Sequence, residues 1–120
     1  MATPNIVNVT SINGKNATAT LANTSRTTAI DVPADKLVKV NTILISNIDG
    51  TNAADITIEI SVDDGSNYVK LANTINVPAD ATLNFLESPI YLDETDILAF
   101  TASAADDLSY FISYEEIDDA

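Results

Sequence analysis

The chain has 120 residues and contains neither cysteine nor histidine. This is the length of one ordinary domain, which hides roughly two-thirds of its unfolded surface and needs no disulfide or metal to fold. The missing residue types exclude a thiolate nucleophile, a histidine general base and the commonest zinc ligands. We therefore expect a protein that is not an enzyme and has no cofactor.

Eighteen acidic residues against five basic ones give a formal net charge of −13. The basic residues are scattered singly, whereas phosphate binding needs a basic stripe, so nucleic acid is not an expected partner. The N-terminus lacks the features of a signal peptide, and no apolar run approaches the about 18 residues of a membrane span. We expect a soluble protein, made in the cytoplasm, without a membrane partner.

The first predicted element is an N-terminal strand or arm over residues 1–12, rich in β-branched side chains. Asn13-Gly14 follows as a strong hairpin signal, so Lys15 to Ala22 are expected to return antiparallel. The small side chains of this second strand bury little, which places it at a sheet edge or against a neighbouring subunit. The predicted assembly contacts are Ile6, Val7, Val9, Ala17, Ala19 and Leu21.

Two segments, residues 30–35 and 75–80, share one pattern: a short strand closed by Pro-Ala-Asp. No further identity follows, so we interpret the match as one local turn used twice rather than a duplication. Such a turn suits a chain that crosses between the sheets of a sandwich.

The clearest pattern extends from Leu37 to Leu71 and predicts three consecutive strands, a β-meander with one face in solvent. Its middle strand, residues 55–63, alternates strictly between isoleucine or valine and polar side chains. Residues 63–67, Asp-Asp-Gly-Ser-Asn, lack the ligand spacing of an EF-hand, and a type I turn explains them.

Short strands continue to residue 117, and no window has the spacing of an amphipathic helix. Eight or nine strands with turn signals about every 8 to 12 residues predict an all-β fold, an antiparallel β-sandwich of jelly-roll or immunoglobulin-like type. A closed β-barrel is the alternative. The sandwich is expected over residues 13–117, with a short acidic tail at 118–120.

Carboxylates are the remaining candidates for chemistry. Glu87, Glu94 and Asp96 are the least turn-like acids, but the chain has no tryptophan to form a sugar platform beside such a pair. If one end of the sandwich brings them together, the candidates for a surface calcium site are Asp93, Asp96, Asp106 and Asp107.

Several segments carry a resemblance to a known family. They are a strand at 40–47, an alternating strand at 56–60, a turn with an aromatic at 64–68, a Leu-x-x-x-Asp-x-Leu segment at 92–98, and Ser-Tyr-Glu-Glu-Ile at 113–117. In this order after an extended arm, they resemble the small all-β virion structural proteins of tailed bacteriophages. The family pattern usually has glycine before the aspartate of the last turn, where this chain has Thr95.

The resemblance implies a non-enzymatic structural component of a phage virion, most of all a capsid decoration or cement protein that assembles in symmetric copies. A tail or neck component is the close alternative. The implied partners are the major capsid protein or tail and neck proteins, together with further copies of the chain. A different class of function, a carbohydrate-binding or host-recognition module, needs exposed aromatic side chains, for which Tyr68 and Tyr91 are the candidates.

Overall fold

The computed structural model describes residues 9–119, which form nine strands and no helix. No helix able to span a membrane therefore occurs in this part of the chain. The strands are β1 (Val9–Thr20), β2 (Thr27–Asp31), β3 (Lys36–Asn47), β4 (Ala54–Ser61), β5 (Val69–Val77), β6 (Thr82–Asn84), β7 (Ile90–Leu92), β8 (Ile97–Ala102) and β9 (Leu108–Asp119).

The strands pair antiparallel in two sheets. One has the order β1-β9-β3, with β6 and β7 both bound to the far side of β3, and the other has the order β2-β8-β4-β5. The sheets face each other and do not close into a barrel. The prediction of an all-β sandwich is confirmed.

The chain is folded as one long hairpin that has been rolled up. From the β4–β5 turn outward, β4 pairs with β5, β3 with β6 and β7, β2 with β8, and β1 with β9. Successive pairs of this series lie alternately in the two sheets. This nested order is that of a jelly roll and differs from the strand order of the immunoglobulin fold.

The core lies between the two sheets and is formed by their inward side chains. Ile43 and Ile45 of β3 belong to the same core cluster as Ile56 and Ile58 of β4, and all four are fully buried. The rings of Phe100 and Tyr110 meet edge to face with their centroids 4.9 Å apart, a geometry that adds about 0.5–1.5 kcal/mol to the burial of the rings.

The predicted meander is wrong, because β3 and β4 belong to opposite sheets. The turn after β3 carries the chain across the sandwich, and β3 pairs with β9 instead. Within β4 the predicted solvent face is also only partly exposed, since Glu59 and Ser61 are buried. The alternation of apolar and polar side chains identifies each strand, but it does not show which strand lies next to it in the sheet.

The hairpin predicted at Asn13-Gly14 is also absent: β1 continues straight through it. Asn13 lies opposite Glu116 and Gly14 opposite Glu115 in an unbroken ladder. A long ladder against β9 satisfies many backbone groups and so prevails over a two-residue turn preference. At the other end of the chain, Asp118, predicted as part of a tail, lies within β9.

Both Pro-Ala-Asp turns carry the chain from the four-stranded to the five-stranded sheet, between β2 and β3 and between β5 and β6. Each follows a buried valine and ends in an aspartate of positive φ, Asp35 at 65° and Asp80 at 60°. Aspartate tolerates this left-handed conformation better than most residues. The interpretation of one turn used twice to cross between sheets is confirmed.

Candidate assembly edge and binding face

β1 forms one edge of the five-stranded sheet and, within residues 9–119, pairs only with β9. The Leu21 N–H donates to the Leu108 carbonyl oxygen, and the Leu21 carbonyl accepts from the Asp106 N–H. Backbone groups alternate in direction along a strand, and the register is continuous from Ser11 to Thr20. The N–H and C=O groups of even-numbered residues 12–20 therefore point to the free edge.

The other sheet edges in the described residues are short or interrupted. β6 and β7 have three residues each and are separated by a loop that contains Pro89, and β2 is followed by Pro33. β5 has an irregular register around Thr74, whose φ is 50°. β1 is about 40 Å long and its single charged residue, Lys15, is bound to Glu116 at 3.0 Å. Proteins usually protect long edges with proline, charge or bulges, and β1 has almost none of these.

The predicted assembly residues occupy different environments. Ile6 and Val7 lie outside the described residues. Val9 begins β1 and is half-buried, Ala17 packs against the core, and Ala19 is exposed. Leu21 is only 1% exposed and belongs to the core, so in the folded chain it packs inside its own sandwich and is not available for an assembly contact.

The outer face of the five-stranded sheet is free of charge over much of its area. No Asp, Glu, Lys or Arg occurs in residues 16–20, 42–46, 82–84 and 109–113, which are adjacent in the register. We call the outward side chains of these four segments the uncharged face. One cross-strand row is Thr20, Ser109, Ser46 and Thr82, with hydroxyl hydrogen bonds of 2.8 Å and 3.1 Å at its two ends. The next row places Phe111, which is 40% exposed, near the centre.

The charges of the same sheet lie at its opposite end. Lys36 forms an ion pair with Asp118, whose carboxylate also accepts a hydrogen bond of 2.9 Å from the Ser11 hydroxyl. The hydrogen bond to Glu116 raises the pKa of Lys15. The sheet is thus divided into a charged end, with opposite charges in contact, and an uncharged end.

An open cavity of about 300 Å³ lies at the boundary between these two ends. Four of its lining residues come from β9, three from β1 and one from the irregular point of β3 where the register shifts. These eight residues are Gly14, Lys15, Asn16, Asn41, Phe111, Ser113, Tyr114 and Glu115.

The structure does not bring the calcium candidates together. Asp93 and Asp96 precede β8, whereas Asp106 and Asp107 follow it, so a six-residue strand of about 20 Å lies between the pairs. Within residues 9–119, no group of three or more acidic residues is arranged to hold a metal ion.

The three acids considered for acid and base chemistry have separate positions. Glu87 is exposed in the loop between β6 and β7. The Glu94 carboxylate accepts the Asp35 N–H at 3.0 Å, and Asp96 accepts the Asp93 N–H at 2.9 Å. Burial raises the pKa of Asp96, and the nearby Asp93 carboxylate raises it further. The contacts of Glu94 and Asp96 organise the turns beside β8.

The β4–β5 turn is built around Asp63, which accepts hydrogen bonds of 2.8 Å from the Ser61 hydroxyl and from both the N–H and the amide of Asn67. These hydrogen bonds lower the pKa of Asp63, and the bond from the Asn67 side-chain amide has the largest effect. Asp64 and Gly65 both have positive φ, 57° and 87°. This is the pattern of a type I′ turn, so the expectation of type I is wrong.

The aromatic candidates for sugar binding are separated. Tyr68 is covered by the Arg26 guanidinium, 3.8 Å from the ring centroid, whereas Tyr91 is 51% exposed on β7 of the other sheet. Two aromatic residues, Tyr114 and Phe111, line the open cavity, and neither was among the candidates. The exposed one of the two is Phe111. Its alternation with Tyr110 and Ile112 is the signal that could have found it, because it places Phe111 on the outward face.

No protein-family model and no curated protein sequence matches the chain. Among solved structures of similar fold is one of Bacillus endospore appendages, described as disulfide-linked pili, with 14% identity, a TM-score of 0.56, and coverage of 92% of this chain and 88% of that one. A second is the capsid of Helicobacter pylori bacteriophage KHP30, with 6% identity, a TM-score of 0.52, and coverage of 93% and 91%. A pentameric capsid protein from metagenomic phage sequences has 20% identity and a TM-score of 0.45 over 88% of this chain and 61% of that one.

Proposed function

We propose that this protein is a non-enzymatic structural component of a phage virion, and that it decorates the capsid in symmetric copies joined through β1. The observation that carries the proposal is the open edge of β1, twelve residues long and with a single charged residue. A strand with free backbone groups binds another strand by extending the sheet.

Self-association through β1 also suits the charge distribution. Two chains of net charge −13 repel each other, but residues 9–20 contain no acid and can approach a second copy at least cost. A two-fold axis across β1 pairs the same strand from both copies, as closed symmetric dimers require. Ala17 and Ala19 then lie within the interface, as the sequence predicts for them.

The fold shared with the bacteriophage KHP30 capsid supports a place in a virion, since jelly rolls are common in viral shells. The Bacillus pili share the fold too, but they are disulfide-linked and this chain has no cysteine. Contacts between copies of this chain therefore do not involve disulfide bonds. A tail or neck component uses the same edge and is the alternative within the particle.

Proline substitutions in β1 test the assembly edge. Thr18 points its N–H to the free edge, so Thr18→Pro removes no bond to β9 and should give a folded monomer, because proline is tolerated at strand edges. Ala19→Pro is the matched control, since it removes an N–H that faces β9 and should destabilise the fold itself. Native mass spectrometry gives the oligomeric state and circular dichroism the folding.

We expect the wild-type chain to be oligomeric in solution or to bind intact phage capsids stoichiometrically. A wild-type chain that is monomeric and does not bind capsids contradicts the proposal, and so does a Thr18→Pro variant that assembles like the wild type. Cryo-electron microscopy of the particle then separates a capsid position from a tail or neck position.

A further inference from the structure

Gly14 has no role that the fold of the single chain explains. It lies inside β1, its φ is outside the left-handed region, and a Cβ atom at this position would meet no atom within 4 Å. The only register shift of the β1–β9 ladder lies between Val9 and Ser11, so Gly14 marks no bulge. A strand glycine costs about 0.5–1 kcal/mol relative to alanine, and one without a bulge or bend indicates close approach of a ligand or another backbone.

The open space beside Gly14 is the cavity between β1, β9 and the irregular point of β3. Asn16, Asn41, Ser113 and Glu115 line it, and none of these side chains has a hydrogen-bonding partner among the described residues. Two amides, a hydroxyl and a carboxylate thus supply free donors and acceptors in one small area. Phe111 adds an exposed aromatic ring to the same wall.

The charges around the cavity favour a neutral ligand. Lys15 is held by Glu116 at 3.0 Å, and Glu115 has Lys39 opposite it in the β3–β9 register, so negative and positive charges balance at this end of the cavity. Beyond Phe111 the uncharged face continues with Leu44 and then with serine, threonine and asparagine side chains. No excess of positive charge favours an anionic ligand here, whereas a neutral ligand with many hydroxyl groups finds hydrogen-bonding partners around the cavity.

We infer that the cavity over Gly14 and the adjoining uncharged face bind a neutral carbohydrate. One sugar ring lies over Gly14, where any side chain would occupy its place, and an apolar side of the ring contacts Phe111. Asn16, Asn41 and Glu115 bind its hydroxyl groups, in the usual combination of an aromatic wall with a few polar groups. The site lies on the face of the sheet rather than at its edge, so assembly through β1 leaves it accessible.

The other candidate occupant is a backbone segment of a second copy. Such a segment would use the free N–H and C=O groups of β1, which lie at the edge, and would leave the amides of Asn16 and Asn41 without a role. The observations favour the sugar for this reason, and the experiment includes the second copy as an outcome.

Titration of the isotope-labelled full chain with neutral gluco-, galacto-, manno- and xylo-oligosaccharides tests the inference by NMR. We expect at least one of them to shift the amide signals of residues 14–16, 41 and 111–115 with a Kd of about 1 mM or tighter. Oligogalacturonate, the anionic probe, should cause no such shift.

Gly14→Leu should weaken binding by about tenfold or more without lowering the Tm, because the space over Gly14 is empty. Asn16→Ala should weaken it as well, whereas Asn84→Ala, the same substitution on the same face but outside the cavity, should not. The inference is overturned if no neutral oligosaccharide shifts these signals, if oligogalacturonate binds equally, or if Gly14→Leu binds like the wild type. A Gly14→Leu variant that changes the oligomeric state and not sugar binding identifies a second copy as the occupant.

Discussion

Arg26 is joined to Glu59 across the outer surface of the four-stranded sheet. Its Nε lies 3.1 Å from Oε1 and its Nη2 lies 3.2 Å from Oε2 of the Glu59 carboxylate, and its guanidinium covers the Tyr68 ring. Ala99 of β8, a small residue, lies between β2 and Glu59 of β4 in the register. The pair joins the loop before β2 to β4, and the Arg26 side chain covers Glu59 on this outer face.

Removing the arginine should leave the buried Glu59 charge without a partner. We expect Arg26→Ala to lower the Tm by about 5 °C, because an unpaired buried carboxylate is costly. Adding Glu59→Gln to this variant should recover much of the loss, since the remaining amide carries no charge. Thermal unfolding of the two single variants and the double variant measures the coupling, and purely additive effects would contradict it.

Thr95 occupies a position that favours glycine, with a φ of 62°. A β-branched side chain in this conformation is strained by about 1–2 kcal/mol. Thr95→Gly should therefore stabilise the protein by about 1 kcal/mol, even after the flexibility that glycine adds to the unfolded chain. Thr82→Gly in β6, where φ is ordinary, should destabilise it. Urea unfolding compares the two, and equal effects would show that no strain is released at Thr95.

Substitution of Leu21 tests whether this residue contributes to the core or to an assembly contact. Because its side chain is fully buried, Leu21→Ala should reduce the free energy of unfolding by about 2–5 kcal/mol. Ile12→Ala, in β1 and 56% exposed, should change it by less than about 0.5 kcal/mol. At temperatures where the Leu21 variant stays folded, native mass spectrometry should find the wild-type oligomer. A lost oligomer with unchanged stability would assign Leu21 to the interface after all.

Asp96 and Asp63 should respond to pH in opposite directions. The folded pKa of Asp96 is raised, so its burial penalty is present at neutral pH and is relieved as the pH falls through that pKa. Asp96→Asn keeps an oxygen for the Asp93 N–H and should stabilise the protein at pH 7.

The advantage of Asp96→Asn should vanish at low pH, where the wild-type side chain is also neutral. Asp63→Asn should instead destabilise the protein at pH 7, because the lowered pKa of Asp63 means that its stabilisation is present at neutral pH and lost in acid. Urea unfolding between neutral and acidic pH measures both differences. If the effect of either substitution on the free energy of unfolding did not vary with pH, ionisation of the aspartate would not be its cause.

The two glycines Gly14 and Gly65 should tolerate substitution differently. Gly65 has a φ of 87°, and a Cβ atom at this position would lie only 3.4 Å from Ile97 Cδ1, so Gly65→Ala should cost about 1 kcal/mol or more. Gly14→Ala has open space and ordinary strand geometry and should gain about 0.5–1 kcal/mol. Urea unfolding tests both, and a destabilised Gly14→Ala variant would show that the fold itself requires this glycine.

The sequence by itself determined the local features of this protein. Alternation of side chains located most strands, and proline, aspartate and the Asp-Gly pair at 64–65 located turns, because these preferences act over a few residues. Asn13-Gly14 is the exception, since β1 runs through it. The same local logic identified the two Pro-Ala-Asp crossings and the small side chains of the β1 edge. The composition also removed histidine and cysteine chemistry without any reference to the fold.

Only the tertiary structure decided which strands are neighbours. β1 continues through Asn13-Gly14 because β9, at the far end of the chain, pairs with it along its whole length. β3 and β4 lie in different sheets because each pairs with other strands, β3 with β9 and β4 with β5 and β8. Glu59 is buried because Arg26 reaches it from another loop. Gly14, Asn41 and Phe111 meet in one cavity through pairings distant in sequence, and no pattern within a few residues contains such pairings.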